Sequence, residues 1–156
     1  MSNLDRAIKL AVDAHEGQLD KAGLPYILHP LRVMERVRVR VEADFVNGLI
    51  PPVALPDLLT AAILHDVVED TPISLEKIRY EFGDTVGDIV DRVTRRKRDG
   101  ETYTEFIARC AELPAAALIK DCDLNDNLDR IQQLPPKEQD IRHRYTRAKV
   151  ALRGKF

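Results

Sequence analysis

Tryptophan is absent, and aromatic residues make up only 5% of the chain. A surface that stacks single-stranded bases on aromatic rings would therefore be thin. A surplus of basic charge is missing too: 24 Lys and Arg stand against 26 Asp and Glu, a formal charge of −2. General nucleic-acid binding needs such a surplus and is not expected. The two cysteines, Cys110 and Cys122, form no C-x-x-C pair and cannot build a disulfide framework. They read as small buried hydrophobes of a reducing compartment. No apolar run approaches the ~20 residues of a membrane span. The N-terminal MSNLDRAIKLAVDAH meets charge at Asp5 and Arg6, too early for a secretion signal. The expectation is a cytoplasmic protein with neither membrane nor nucleic acid as partner; a homo-oligomer is compatible with the sequence.

What is present is a chain of 156 residues, 44% apolar and 32% charged, enough to fold as one domain over residues 1–156. Its apolar residues repeat with helical period. Leu4, Ala7, Ile8, Ala11, Val12 and His15 lie on one face of a helix starting near Asn3. Pro30 reads as the first residue of a second helix carrying Leu31, Met34, Val37 and Val41. Residues 45–56, with three prolines and a glycine, read as a loop of at most one helical turn. Leu55 to Val67 predicts a third helix, apolar on most sides, that runs on through ILHDVVED to Thr71-Pro72. Ser74 caps a short helix through Tyr80, Gly83 ends it, and Val86, Ile89, Val90 and Val93 mark the next. RRKRDG (95–100) is a charged turn. Helices follow at about 103–112 and 115–130, and Pro135-Pro136 opens a last one. No alternating β pattern of useful length occurs, so the fold class is all-α, about eight helices in a bundle.

Polar groups interrupt this pattern in specific places. His65, Asp66, Glu69 and Asp70 crowd the end of an otherwise apolar helix, where the pairs His65/Glu69 and Asp66/Asp70 would each share a face. Carboxylates are disfavoured at a helix C-terminus, and buried charges are costly without a partner, so a compensating cation is expected. His29 stands in YILHP, and Asp123 and Asn127 share a face in KDCDLNDN. Each cluster alone would suit a solvated helix face or a satisfied core histidine. Together, one His, an adjacent His-Asp pair and a distant Asp follow the ligand order of a histidine-aspartate metal site. Two imidazoles and two carboxylates suit a divalent first-row ion such as Mn, Fe or Zn, with positions left open for water and substrate.

The phrases AHEGQ (14–18), GLPYILHP (23–30), AAILHDVVEDT (61–71), FGDTVGDIVDRVTRR (82–96) and IKDCDLNDNL (119–128) occur in this order. Over residues 4–130 the chain resembles the hydrolase domain of RelA/SpoT-homologue enzymes, and among them the stand-alone small alarmone hydrolases. The resemblance implies an all-helical HD-domain fold and a manganese-dependent reaction, other divalent first-row metals being conceivable. That reaction removes the 3′-pyrophosphate of guanosine tetra- or pentaphosphate, so the partner implied is a small phosphorylated nucleotide. Carried over residue by residue, the metal ligands would be His29, His65, Asp66 and Asp123. Glu69 and Asp70 match the acidic pair that positions and deprotonates the attacking water. Asn127 and Lys21 match substrate-contacting residues, with Arg95 and Arg96 as further sources of positive charge. His15 is expected behind the ligands or in the core.

The chain also departs from that pattern. Asp20-Lys21 stands where the family has Arg-Lys, whose arginine stacks on the purine. Leu124 and Asp126 stand where the late-helix phrase has Arg and His. These changes keep a second reading in play: an HD-domain phosphohydrolase for another nucleotide or phosphoester. The last segment carries Arg142, Arg144, Arg147, Lys149, Arg153 and Lys155. It reads as a solvated amphipathic helix or as a face that closes over an anionic substrate.

Overall fold

The computed structural model describes residues 1–49, 51–134 and 136–156, with nothing described of the Glu138 side chain. Among these residues the chain forms α1 (Asn3–Ala14), α2 (Leu28–Val46), α3 (Leu55–Ile63), α4 (Val67–Asp70), α5 (Leu75–Phe82) and α6 (Asp84–Val93). Three more follow: α7 (Tyr103–Ala111), α8 (Pro114–Arg130) and α9 (Arg142–Leu152). No strand occurs among the described residues, only an isolated bridge between Leu19 and Pro25. The all-α expectation is met. Among the described residues no helix is long and apolar enough to cross a membrane.

Helix starts follow the local chemistry. Ser2 Oγ accepts from the Asp5 N–H at 3.1 Å while Asp5 Oδ2 accepts from the Ser2 N–H at 2.8 Å, a reciprocal capping box. Thr102 and Glu105 repeat that arrangement at α7. Ser74 caps α5, and Gly83, at φ 89°, turns the chain from α5 into α6 in a conformation that a side chain would strain.

The main core is laid around α3, whose Leu58, Thr60, Ala61, Ala62 and Ile63 are buried on every side. Ala7 and Ala11 of α1 and Val33, Val37 and Val41 of α2 face it, and α6 and α8 complete the shell. Each fully buried Leu, Ile or Val contributes about 1.5–3 kcal/mol. A smaller cluster, including Phe106, Ile107, Leu124 and Leu152, joins α7, α8 and α9. Helix α8 belongs to both clusters and so links the C-terminal helix to the rest.

Four expected boundaries differ, and three of the differences lie at the site. Helix α2 begins at Leu28, so Pro30 occupies its third position and His29 lies inside the first turn. The third helix does not continue through ILHDVVED. It stops at Ile63, Leu64–Asp66 form a turn, and α4 is a separate four-residue helix. The break has a local cause: the Ala62 carbonyl accepts from the His65 ring at 2.8 Å and from the His65 N–H at 3.5 Å. That carbonyl would otherwise receive the Asp66 N–H. The last helix starts at Arg142, after a 3₁₀ segment over Pro136–Ile141; Pro135, its expected opening, lies outside the described residues. The expected 45–56 loop is also shorter, since Phe45 and Val46 still belong to α2.

Candidate metal centre

The turn at 64–66, the first turn of α2 and the middle of α8 meet. His29 Nε2 lies 3.1 Å from Asp123 Oδ1 and 3.6 Å from Asp66 Oδ2. His65 Nε2 lies 3.0 Å from Asp66 Oδ2 and 4.0 Å from Asp123 Oδ1. Ligand bonds of about 2.0–2.2 Å put donors around one ion ~3 Å apart, so these four atoms have the spacing of one cation site. His29, His65 and Asp66 offer ligand atoms all within 4.8 Å of one another. The four expected ligands are brought together.

The donors are also correctly prepared. His29 Nδ1 donates to Asp126 Oδ2 at 2.8 Å, and His65 Nδ1 donates to the Ala62 carbonyl at 2.8 Å. Both rings therefore turn Nε2 toward the centre, and the partner on Nδ1 fixes tautomer and orientation. His65 Nε2 is buried with no hydrogen-bond partner among the described residues: its approach to Asp66 is close but off the donor direction. An orphaned, buried ring nitrogen facing two carboxylates fits a divalent cation. Burial opposes charge on His29, but its hydrogen bonds to Asp123 and Asp126 outweigh this and push the ring up to about 10. A field that favours one positive charge at Nε2 favours a doubly charged ion more strongly.

The carboxylates are braced in turn. Tyr26 Oη donates to Asp66 Oδ2 at 2.7 Å. Lys120 Nζ donates to Asp123 Oδ2 at 2.6 Å, and Asn127 Nδ2 donates to Asp123 Oδ1 at 2.7 Å. Burial disfavours the Lys120 charge, yet Asp123 more than compensates and holds the ammonium well above its usual range. Asp126, 1% exposed, is clasped by Arg32 through Nε to Oδ1 at 2.9 Å and Nη2 to Oδ2 at 3.0 Å. Asn127, expected at the substrate, thus also steadies a ligand.

The centre opens into a cavity of about 410 Å³. Lys21, Arg95, Lys97, Lys120, Arg130 and Arg144 reach its wall. A near-neutral chain has gathered its positive charge here. From the charged turn the wall takes Arg95 and Lys97; Arg96 is not on it and pairs instead with Asp91 at 3.1 Å. Asp91, near the end of α6, lies within reach of that side chain. Arg144 of α9 lies over the Tyr103 ring, 4.7 Å from its centroid, and this face of the last helix lines the cavity. Two buried polar atoms on this wall, Arg95 Nε and Tyr103 Oη, have no hydrogen-bond partner among the described residues.

Glu69 lines the cavity. Its Oε2 accepts from the Arg95 N–H at 2.9 Å, and its Oε1 lies 2.5 Å from Lys97 Nζ. Asp70 lies behind it, with Tyr26 Oη 3.4 Å from its carboxylate. Burial, then the charges of Asp66 and Glu69, push the Asp70 carboxyl up. His15 is buried behind the ligands, bonded through Nδ1 to Gln18 at 2.8 Å, its ring 5.0 Å from that of Tyr26. Asp20 caps its own loop and pairs with Arg130.

Tyr26, Arg32, Lys120 and Asp126 brace the cluster, and sequence spacing did not single them out. The available signals were weak: Arg32 follows His29 by three, and Asp126 follows Asp123 by three, which aligns each pair along its helix.

The family described as HD domain matches residues 7–140. A probable GTP pyrophosphokinase of Mycobacterium leprae is 35% identical, over 97% of this chain and 19% of that protein. A guanosine-3′,5′-bis(diphosphate) 3′-pyrophosphohydrolase of Haemophilus influenzae is 32% identical over 83% of this chain, again 19% of its own length. The chain thus spans about a fifth of these curated relatives. A solved structure, presented as a metazoan ortholog of SpoT that hydrolyzes ppGpp, superposes with a TM-score of 0.79 at 28% identity. That superposition covers 99% of this chain and 88% of the other.

Proposed function

We propose that this chain, which belongs to the HD-domain family, is a manganese-dependent phosphohydrolase acting on guanosine tetra- or pentaphosphate or a related purine alarmone. Residues 1–156 would act as one domain, and the products would be GDP or GTP and pyrophosphate. One observation carries this reading: two imidazole nitrogens and two carboxylate oxygens converge beside a cavity walled by cations and a carboxylate. The names of the relatives supply the substrate class.

His29, His65, Asp66 and Asp123 would hold the ion, and a divalent ion supplies Lewis acidity, acidifying a water and neutralising charge on phosphate oxygens. The chain's own groups do the rest. Glu69 is held at the wall by the Arg95 N–H and Lys97 and would accept a proton from the attacking water. Asp70 stands next in line, its carboxyl made more basic by burial and by its acidic neighbours. Arg95, Lys97 and Arg144 neutralise the phosphates, with Arg95 Nε and Tyr103 Oη free to donate. Water adds at phosphorus, the ribose 3′ oxygen leaves with a proton, and pyrophosphate departs. Lys21 and Asn127 would contact the nucleotide.

Purified protein with manganese should release pyrophosphate from guanosine 3′,5′-bis(diphosphate), and not from plain nucleoside triphosphates or NADPH. His65→Ala and Asp66→Ala should each abolish it. Turnover that survives both substitutions would overturn the assignment of the site.

A further inference from the structure

The turn between α6 and α7, residues 94–102, gives the cavity Arg95 and Lys97 and reaches Glu69 through the Arg95 N–H. Residues 96–100 are exposed, so apolar packing does not fix this turn. It is held from behind by Arg109 of α7, which is not on the cavity wall. Arg109 Nε and Nη2 donate to the two oxygens of Glu101 at 2.7 and 3.0 Å, and both side chains are 12% exposed. Nη1 donates to the Asp91 and Arg92 carbonyls at 2.7 and 3.3 Å, in the last turn of α6, where helical partners run out. Nη2 also donates to the Thr94 carbonyl at 2.8 Å. The whole donor fork of one guanidinium is spent on one turn.

Two of these contacts bear on groups that face the cavity. The Thr94 carbonyl and the Arg95 N–H belong to one planar, trans peptide unit, so holding the oxygen sets the direction of the N–H. That N–H donates to Glu69 Oε2 at 2.9 Å. The next peptide is held as well, because Glu101 Oε2 accepts from the Arg96 N–H at 2.8 Å. Both peptides flanking Arg95 are therefore fixed. Its Nη2 donates to the Glu101 carbonyl at 3.2 Å, which leaves Nε buried at the cavity wall.

We propose that Arg109, paired with Glu101, is a positioning residue for the hydrolysis. It sets Glu69 as proton acceptor through the Thr94–Arg95 peptide and aims Arg95 at the phosphates. The inference rests on the phosphohydrolase reading of the preceding section. A buried ion pair adds little net stability, because desolvation cancels most of its attraction. What this pair supplies is direction.

Lysine at 109 keeps the charge but not the planar fork, so it cannot hold Glu101 and the three carbonyls together. With manganese and guanosine 3′,5′-bis(diphosphate), Arg109→Lys should lower kcat by about 10–100-fold, the cost of a reacting group misplaced by about 1 Å. KM should rise as Arg95 loses its aim. In a Glu69→Gln background the same substitution should change kcat by less than about threefold, since the group it positions is already gone. A general loosening of the fold would lower kcat equally in both backgrounds. Glu101→Gln, of nearly the same shape, should move kcat in the same direction and serves if Arg109→Lys does not fold. Equal losses with and without Glu69, or wild-type kcat in a folded variant, would overturn the proposal. If wild type does not hydrolyse the nucleotide, the proposed function fails instead, and amide exchange followed by NMR still tests the clamp. The Arg95 amide should then exchange about tenfold faster in Arg109→Lys, while the Ile63 amide of α3 keeps its wild-type rate. Unchanged exchange at Arg95 would refute the positioning.

Discussion

His29 and Asp126 are joined across 97 residues by a 2.8 Å hydrogen bond from imidazole Nδ1 to carboxylate Oδ2. The bond ties the first turn of α2 to α8 and leaves His29 Nε2 facing Asp66 and Asp123. Arg32 holds the far side of the same carboxylate. On the proposed assignment of the site Asp126 is a positioning residue, acting on a bound ion through His29.

Asp126→Ala should therefore weaken manganese binding by about 10–100-fold. Calorimetric titration of metal-free protein with manganese would measure this, with far-UV circular dichroism as the check on folding. Wild-type affinity in a folded variant would show that the hydrogen bond does not orient the ligand.

Lys120, half-buried at the cavity wall, holds Asp123 at 2.6 Å. Lys120→Met leaves that carboxylate without its neighbouring cation, and breaking a buried pair this way costs about 3–5 kcal/mol. A divalent ion at Asp123 supplies replacement charge, so saturating manganese should recover much of the loss. Thermal unfolding with and without manganese gives the comparison; an equal loss in both conditions would contradict the coupling.

Glu69→Gln keeps a side chain of the same shape but removes the proton acceptor. Its kcat should fall by about 10²–10⁴, with manganese content unchanged. Arg144→Ala should mainly raise KM, whereas Arg96→Ala, whose side chain pairs with Asp91, should leave KM close to wild type. Steady-state kinetics on the three variants decides all of this, and an Arg96 effect equal to that of Arg144 would refute the division between them.

Burial pushes the thiols of Cys110 and Cys122 up to about 12. At pH 8 only about 10⁻⁴ of either is thiolate, so a disulfide reagent should find no fast-reacting thiol in native protein and two in denaturant. The same shift has a sign for stability. Between the ordinary thiol value near 9 and about 12 only the unfolded chain releases these protons, so their contribution is complete below pH 9 and declines as pH rises. Rapid native labelling at pH 8 would show that the helices around them open.

Much of this protein was decided by residue order alone. The apolar spacing of α1, α5 and α6, the capping residues Ser2 and Ser74 and the turn at Gly83 are local features, settled by propensity and hydrogen bonds within a few residues. The residue types of the polar cluster were legible too, because two histidines and two carboxylates in that order have few structural uses. Tertiary structure decided what surrounds them. The helix break at Leu64–Asp66 is caused by a ring–carbonyl bond that periodicity does not register. Tyr26 reaches Asp66 across 40 residues and Asp126 reaches His29 across 97. Such pairings arise only when α2, α3 and α8 pack, since burial makes each charged ligand take a partner. The missing basic surplus follows the same division. Its total was readable at once, but only packing concentrates Arg95, Lys97, Arg130 and Arg144 on one wall while turning Arg96 away, because direction is set by the fold around a side chain and not by its place in the chain.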